Sequence, residues 1–173
     1  MDKINLGRIE VFFHQNSLDT QRHSVPNRSG HLVFQVVTLK EAQQMVGFKI
    51  WQPAYLPFAG MQLDKVQIVG TNGAFDTVVL KYKKDSIHWL VIRQQLISES
   101  SNIRRIPIGF SLRRNTVNNR PAALFNHTVT ATAQVGGQLE LLSCLWERGN
   151  FLMELEAPHL SDQVAIQIAE SIH

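Results

Sequence analysis

Residues 139–158, LELLSCLWERGNFLMELEAP, contain two apolar runs that flank the polar residues RGN at 148–150. Two such runs joined by a short segment with glycine predict a β-hairpin. Residues 160–173, LSDQVAIQIAESIH, follow directly. Ser161 is a good N-cap residue, and Asp162 favours the positive end of a helix dipole. The sequence therefore predicts an amphipathic helix after the hairpin. Its predicted buried stripe consists of Ala165, Ile168, Ala169 and Ile172.

Several segments upstream of this hairpin have the period-two alternation or the composition of strands. Residues 61–70 alternate and end at the sequence TNG, residues 71–73, which is a tight-turn signal. Residues 76–83 and 86–96 predict two more strands, and residues 122–133 predict another. The chain is therefore rich in short strands that follow one another closely, which favours antiparallel pairing.

The remaining segments are less regular. Residues 4–14 and 31–37 predict extended structure, and residues 104–114 mix arginine pairs with alternating apolar residues. Pro107 argues against a central strand there, so we expect an edge strand or an irregular ribbon. Loops or turns are predicted at residues 16–30, 98–102, 118–119 and 136–137.

A helix is predicted from Thr38 to Gly47. Thr38 and Glu41 have the spacing of a capping box, in which each side chain accepts a hydrogen bond from the other residue's backbone. Gly47 supplies a residue that can adopt a left-handed conformation and end the helix. Its apolar face consists of Leu39, Ala42 and Val46.

The order of these elements predicts an α+β fold. We expect an antiparallel sheet of about six to eight strands, packed with a short N-terminal-side helix and a C-terminal helix. Residues 1–36 are interpreted as an N-terminal extension, a strand plus a loop, and residues 37–173 as a single α+β domain.

Composition excludes several classes of protein. The 173 residues are 44% hydrophobic and 18% charged, which is typical of a globular chain. The net charge of +3 and the lack of a binding motif give no expectation of nucleic acid as a partner. No apolar run reaches the ~20 residues of a membrane helix. We therefore expect membrane association only through an anchor that is not present in this chain.

Residues 37–61, VTLKEAQQMVGFKIWQPAYLPFAGM, resemble the opening of a family of bacterial domains of unknown function. These domains are found at the extracytoplasmic C-terminal end of anti-sigma-factor-like proteins. Residues 141–172 resemble the close of the family, and residues 117–125 resemble its centre more weakly. Two positions depart from the pattern, since Met61 stands where an aromatic is usual and Asn119 where glycine is usual. Matching residues are Thr38, Glu41, Ala42, Gly47, Phe48, Pro53, Leu56, Pro57, Gly60, Trp146, Gly149, Leu160, Ile168, Ala169, Glu170 and Ser171.

The resemblance implies an extracytoplasmic domain with no assigned activity and supplies no catalytic residues. We therefore expect a non-enzymatic sensing or interaction domain with a protein or an envelope component as partner. The alternative is a carrier of a lipid-like ligand with a curved sheet. A cytoplasmic location is the alternative to the extracytoplasmic one, and the oligomeric state is left open.

Residues 48–61, FKIWQPAYLPFAGM, admit two interpretations. In the structural one, Pro53 and Pro57 stiffen a connection whose apolar residues plug the sheet. In the functional one, exposed aromatic side chains grip a ligand. The candidate binding residues are Trp51, Tyr55, Phe58, Arg104 and Arg105. A wider set of basic residues was considered as one patch: Lys81, Lys83, Lys84, Arg104, Arg105, Arg113, Arg114 and Arg120.

Catalytic and metal motifs are missing from the sequence. The seven histidines are scattered without zinc-binding spacing, so no metal and no cofactor are expected. Cys144, the only cysteine, is expected to be a buried, inert thiol. A weaker hypothesis is a hydrolase that uses two of four glutamates of the last hairpin. These are Glu140, Glu147, Glu154 and Glu156.

Overall fold

The computed structural model describes residues 3–13, 32–97, 104–108, 112–130 and 137–173, with the side chains of residues 104–108 and of Thr130 excluded. The loops predicted at residues 16–30 and 98–102 and the turn residue Gly136 lie outside the described residues. In chain order the elements are β1 (Lys3–Asn5), β2 (Ile9–Phe13), β3 (Leu32–Val37), α1 (Leu39–Met45), β4 (Gln62–Thr71), β5 (Ala74–Lys83), β6 (Trp89–Leu96), β7 (Arg104–Ile108), β8 (Arg113–Val117), β9 (Arg120–Thr130), β10 (Gln138–Arg148), β11 (Phe151–Pro158) and α2 (Asp162–Glu170).

Eight of the strands form one sheet in the order β3-β4-β5-β6-β11-β10-β9-β8. Every neighbouring pair in it is antiparallel. The sheet consists of two four-stranded meanders, β3 to β6 and β8 to β11, which meet where β6 pairs with β11. The α+β prediction with an antiparallel sheet and two helices is confirmed.

Both helices cover the same face of this sheet. The helix α1 packs against β4, and α2 packs against β8 and β10. Alternate residues of the strands, such as Leu80, Ile92 and Leu155, point into the core beneath the helices. The predicted stripe of α2 is buried there as expected. No helix among the described residues is long and apolar enough to cross a membrane.

The N-terminus of α1 agrees with the sequence prediction, but its C-terminus does not. The capping box is present, because the Thr38 hydroxyl accepts from the Glu41 N–H at 3.2 Å and the Glu41 carboxylate accepts from the Thr38 N–H at 2.7 Å. At the other end the prediction was wrong. Val46 is the C-cap in an extended conformation, and Gly47 does not have a positive φ. The chain leaves the helix directly into an extended segment, so no left-handed residue is needed.

Two of the tight turns form where the sequence predicts them. Asn72 and Gly73 have φ angles of 53° and 81° between β4 and β5. Asn118 and Asn119 have φ angles of 49° and 63° between β8 and β9. Consecutive positive φ angles match the right-handed twist of a hairpin, and asparagine and glycine tolerate them best.

A smaller sheet, with the order β1-β2-β7, packs on the face opposite the helices. Residues 4–14 were expected to form one strand, and this was wrong, because the chain reverses at residues 6–8 and pairs β1 with β2. The strand β7 lies at an edge and runs parallel to β2, which agrees with the edge position that Pro107 favours.

The second core lies between the small sheet and the large one. Ile4, Leu6, Ile9 and Val11 of the N-terminal hairpin are buried against residues of β9, β10 and β11 such as Phe125. The predicted boundary at residues 36 and 37 falls at the end of β3, which is itself part of the large sheet.

Candidate binding site

The connecting segment, residues 48–61, joins α1 to β4 and passes the C-terminal end of α2. Pro53 forms an isolated antiparallel bridge with Ile172. Beside it, the Gln52 N–H donates to the His173 carbonyl at 3.4 Å, and the His173 N–H donates to the Gln52 carbonyl at 3.1 Å. The segment is therefore held by backbone pairing to the end of the chain, as a stiff connection would be.

Two glutamine side chains fix the start of the connecting segment. The Gln43 side chain of α1 accepts from the Ile50 N–H at 3.0 Å. The Gln94 side chain of β6, which is buried, accepts from the Trp51 N–H at 3.2 Å and donates to the Lys49 carbonyl at 2.7 Å. Backbone groups that no strand satisfies are thus satisfied by side chains, which is the usual requirement for a part-buried segment.

Trp51 is the most engaged aromatic residue of the segment. Its ring lies 5.0 Å from the Phe151 ring in an edge-on arrangement, and Phe151 also lies 5.0 Å from Phe48. The Arg148 guanidinium lies 4.5 Å from the centre of the indole and donates to the Ile172 carbonyl. Because Trp51 is only half-buried, part of this aromatic and cationic cluster faces solvent.

Tyr55 and Phe58 have different neighbours. The Tyr55 backbone N–H donates to the Ser171 hydroxyl at 3.1 Å. The Phe58 ring lies 4.6 Å from the His88 ring, in the turn between β5 and β6. All three predicted aromatic residues pack on the core beneath the helices and contribute to the plug that the structural interpretation expects.

The predicted basic residues are spread over the molecule. Arg104 and Arg105 lie on β7 of the small sheet, whereas Trp51 lies on the helix side of the large sheet. Lys81 and Lys83 lie on β5, and Arg113 lies on β8. Four strands separate β5 from β8, which at the usual strand spacing is roughly 24 Å. The structure therefore does not bring these residues into one patch.

The outer edge of β3 is a second exposed feature. No described strand pairs with that edge, and β3 carries no charge. Its apolar side chains are largely exposed, with Phe34 at 61% and Val36 at 59%. Leu32 and Val33 are also classed as exposed. Natural edge strands usually carry charge, proline or a cover that prevents pairing with other chains, and β3 has none of these among the described residues.

Ser143, His127 and Glu156 meet on the sheet face opposite the helices, in a set that resembles a catalytic triad. The His127 Nε2 lies 3.0 Å from the Ser143 hydroxyl and 3.3 Å from the Glu156 carboxylate. A triad needs both ring nitrogens, one for the nucleophile and the other for the acid. Here one nitrogen serves both neighbours, and Ser143 is fully buried. This geometry does not activate a serine.

The remaining glutamates of the hairpin each have a separate partner. The Glu147 carboxylate accepts from the Ile9 N–H at 2.7 Å, and Glu154 accepts from Arg93 at 2.9 Å. Glu140 points to the other face of the sheet, where it accepts from a side-chain amide of β9 at 2.7 Å. Each carboxylate thus has a structural role.

Two other buried polar groups, the Cys144 thiol and the Tyr82 hydroxyl, stay protonated. Burial, and then the charge of Asp162, raise the pKa of the Cys144 thiol, which keeps it protonated and unreactive. Burial raises the pKa of Tyr82 to about 12, and its hydroxyl has no hydrogen-bond partner among the residues that the structure describes. No group of three metal-ligating side chains occurs within the described parts of the chain.

The surface depressions are open grooves. One of about 370 Å³ is lined by residues of β1, β8 and β9, and one of about 490 Å³ lies beside α1. The helix-side face of the large sheet is filled by packed side chains. Neither groove encloses a ligand as a lipid carrier would.

No model of a known protein family, no curated protein and no solved structure matches this chain. The relation to the extracytoplasmic domain family therefore stays a prediction from the residues quoted from the sequence.

Sequence reasoning missed two features that the structure brings out. The run at residues 31–37 predicts extended structure, but only the sheet order shows that β3 lies at an edge. Arg148 was considered only as part of a turn, although it contacts Trp51. The available signal was that Arg148 directly precedes Gly149 in the predicted hairpin. That position determines which residues of the neighbouring strands lie beside Arg148.

Proposed function

We propose that this protein is a non-enzymatic interaction domain that adds an extended strand of a partner protein to the free edge of β3. The observation that carries the proposal is the uncharged, exposed apolar side chains on an edge strand that lacks a second neighbour among the described residues. The absence of enzymatic activity is part of the same proposal, since the polar residues considered for catalysis are each occupied in structural contacts.

Both sides of β3 fit a strand rather than a small molecule. An unpaired edge presents a row of backbone N–H and C=O groups, which an extended peptide satisfies by β-augmentation. Leu32, Phe34 and Val36 point to one face, and Val33, Gln35 and Val37 point to the other, because neighbouring side chains alternate. One face is apolar and the other is uncharged with one polar residue, which matches an uncharged, largely apolar strand of a partner.

The test attaches a photo-crosslinker to a cysteine that is introduced on β3. Cys144 is fully buried, so a Phe34→Cys variant carries one reactive thiol for a photo-crosslinker. An Ile87→Cys variant is the matched control, because Ile87 is 56% exposed and lies in the turn between β5 and β6. We expect Phe34→Cys alone to crosslink to one extended segment of a partner. A synthetic peptide of that segment should protect β3 amides from hydrogen exchange.

A second experiment introduces a charge on the edge of β3. Phe34→Lys should weaken peptide binding about tenfold or more, because a charge in an added strand pair is desolvated, whereas Ile87→Lys should leave binding unchanged. Equal crosslinking of the two cysteine variants would contradict the proposal, as would peptide binding that Phe34→Lys does not affect. If crosslinks form only between copies of this chain, the strand added at β3 comes from a second copy and not from a partner protein.

We propose further that the domain acts outside the cytoplasm of a bacterium, as part of an anti-sigma-like regulator. The support is the similarity of residues 37–61 and 141–172 to that family. Fractionation of source cells, with the intact mass and the N-terminus of the native protein, tests this. A longer, membrane-bound species is expected. A species in the soluble fraction that begins at Met1 would contradict it.

A further inference from the structure

Two arginines lie near each other at one end of the large sheet. The register of β9 and β10 ends at the pair Trp146 and Ala122, and its continuation by two residues places Arg148 across from Arg120. Like charges directly opposite each other destabilise a strand pair. Burial of Arg148, and then the positive charge of Arg120, lower the pKa of Arg148. The fold thus places two positive charges near each other at this end of the sheet.

No described carboxylate forms an ion pair with either of these arginines. Arg148 donates to the Ile172 carbonyl and stacks on the Trp51 ring, which explains its position. Arg120 is exposed and makes no such contact with the described residues. By contrast, Arg113 forms two hydrogen bonds of 2.7 Å with Asp162. Arg120 and Arg148 are therefore two neighbouring cations for which the described residues supply no carboxylate partner.

We propose that Arg120 and Arg148, together with the Trp51 indole, form a binding site for a phosphoryl group. One guanidinium fork is enough to satisfy the two oxygens of a carboxylate. Two neighbouring forks suit a tetrahedral oxyanion, which has more acceptor oxygens and more charge. The Trp51 indole, over which the Arg148 guanidinium stacks at 4.5 Å, forms the aromatic wall of this site.

This inference is independent of the proposed strand-binding edge. The sheet order places β4, β5, β6 and β11 between β3 and β10, which is roughly 24 Å at the usual strand spacing. Failure of either proposal therefore leaves the other unaffected.

The experiment is a titration of the ¹⁵N-labelled protein with inorganic phosphate, followed through the indole N–H signals. The chain has three tryptophans, and Trp89 and Trp146 serve as internal controls. Sodium chloride at matched ionic strength shows the effect of screening alone. Glycerol 3-phosphate tests a phosphoryl group carried on a larger molecule, and acetate tests a carboxylate. We expect a saturable shift of the Trp51 signal with both phosphates, and weaker binding of acetate.

Arg120→Ala distinguishes binding from a structural role. It should weaken phosphate binding about tenfold or more, because a charge-assisted hydrogen bond is lost, and should leave the melting temperature unchanged or higher. Lys83→Ala, which removes the same charge from an exposed site on β5, should leave phosphate binding unchanged. No saturable shift, or one that persists in Arg120→Ala, would overturn the proposal. Acetate binding as tight as phosphate binding would overturn the phosphoryl assignment.

Discussion

Removal of the Glu147 carboxylate should loosen the N-terminal hairpin from the large sheet. Glu147 is 7% exposed, and its carboxylate accepts from the Ile9 N–H at 2.7 Å. A hydrogen bond to a charged group contributes about 1.5–3 kcal/mol, and an unpaired buried donor costs about as much. We therefore expect Glu147→Ala to lower the free energy of unfolding by about 2–3 kcal/mol. Glu147→Gln keeps an acceptor in nearly the same volume and should cost about 1 kcal/mol.

Gly7 provides a second perturbation of the same contact. Its φ angle is +136°, and an added Cβ would lie 2.5 Å from a Glu147 carboxylate oxygen. Gly7→Ala should therefore cost about 1–3 kcal/mol through backbone strain, together with the steric conflict. In the double variant with Glu147→Ala the steric conflict disappears. The loss of stability in the double variant should therefore be smaller than the sum of the two single losses by about 0.5–3 kcal/mol.

Urea denaturation of the wild-type protein and the four variants gives these free energies, and hydrogen exchange of the Ile9 amide reports the local contact. Glu140→Ala is the control, because Glu140 is an exposed carboxylate on the same strand, and we expect a change within about 0.5 kcal/mol. The reasoning is refuted if Glu147→Gln is as damaging as Glu147→Ala, or if Gly7→Ala and Glu147→Ala are additive.

Three further predictions concern the polar groups of the fold. Tyr82→Phe removes a buried hydroxyl that has no partner in the described part of the chain, so urea denaturation should show equal or greater stability; a clear loss would mean that the hydroxyl is hydrogen-bonded. A hydrogen bond from His88 lowers the pKa of Asp85 to about 2, so this contact stabilises the fold fully above the ordinary pKa of 3.8 and loses that effect as the pH falls towards 2. Asp85→Asn should flatten this part of a pH–stability profile, and an unchanged profile would contradict the assignment. The Cys144 thiol should react with a thiol reagent only in denaturant, whereas rapid reaction in the native protein would contradict its burial.

The candidate binding residues show where sequence reasoning is strong and where it fails. Trp51 was named from the sequence, and it lies half-buried beside a cationic side chain. Phe58 was named with it, yet packs on His88 in a different turn. A short segment reveals which residues are aromatic and how stiff the backbone is, but the neighbours of each ring come from strands up to about one hundred residues away, such as β11.

The sequence by itself determined the elements whose signals lie within a few residues. The capping box of Thr38 and Glu41, the turn at Asn72 and Gly73, and the apolar stripe of α2 all form as predicted. These features depend on backbone geometry and on hydrogen bonds between near neighbours, so any tertiary arrangement that keeps the element keeps them too.

Only the tertiary structure decided the order of the strands. It places β6 beside β11, leaves β3 at an edge, and brings Arg120 near Arg148. Strand pairing is chosen by which arrangement buries the apolar faces of all the strands at once, and no single strand encodes that choice. The two proposed binding sites both follow from this order. For that reason the sequence showed their residues without showing that they form sites.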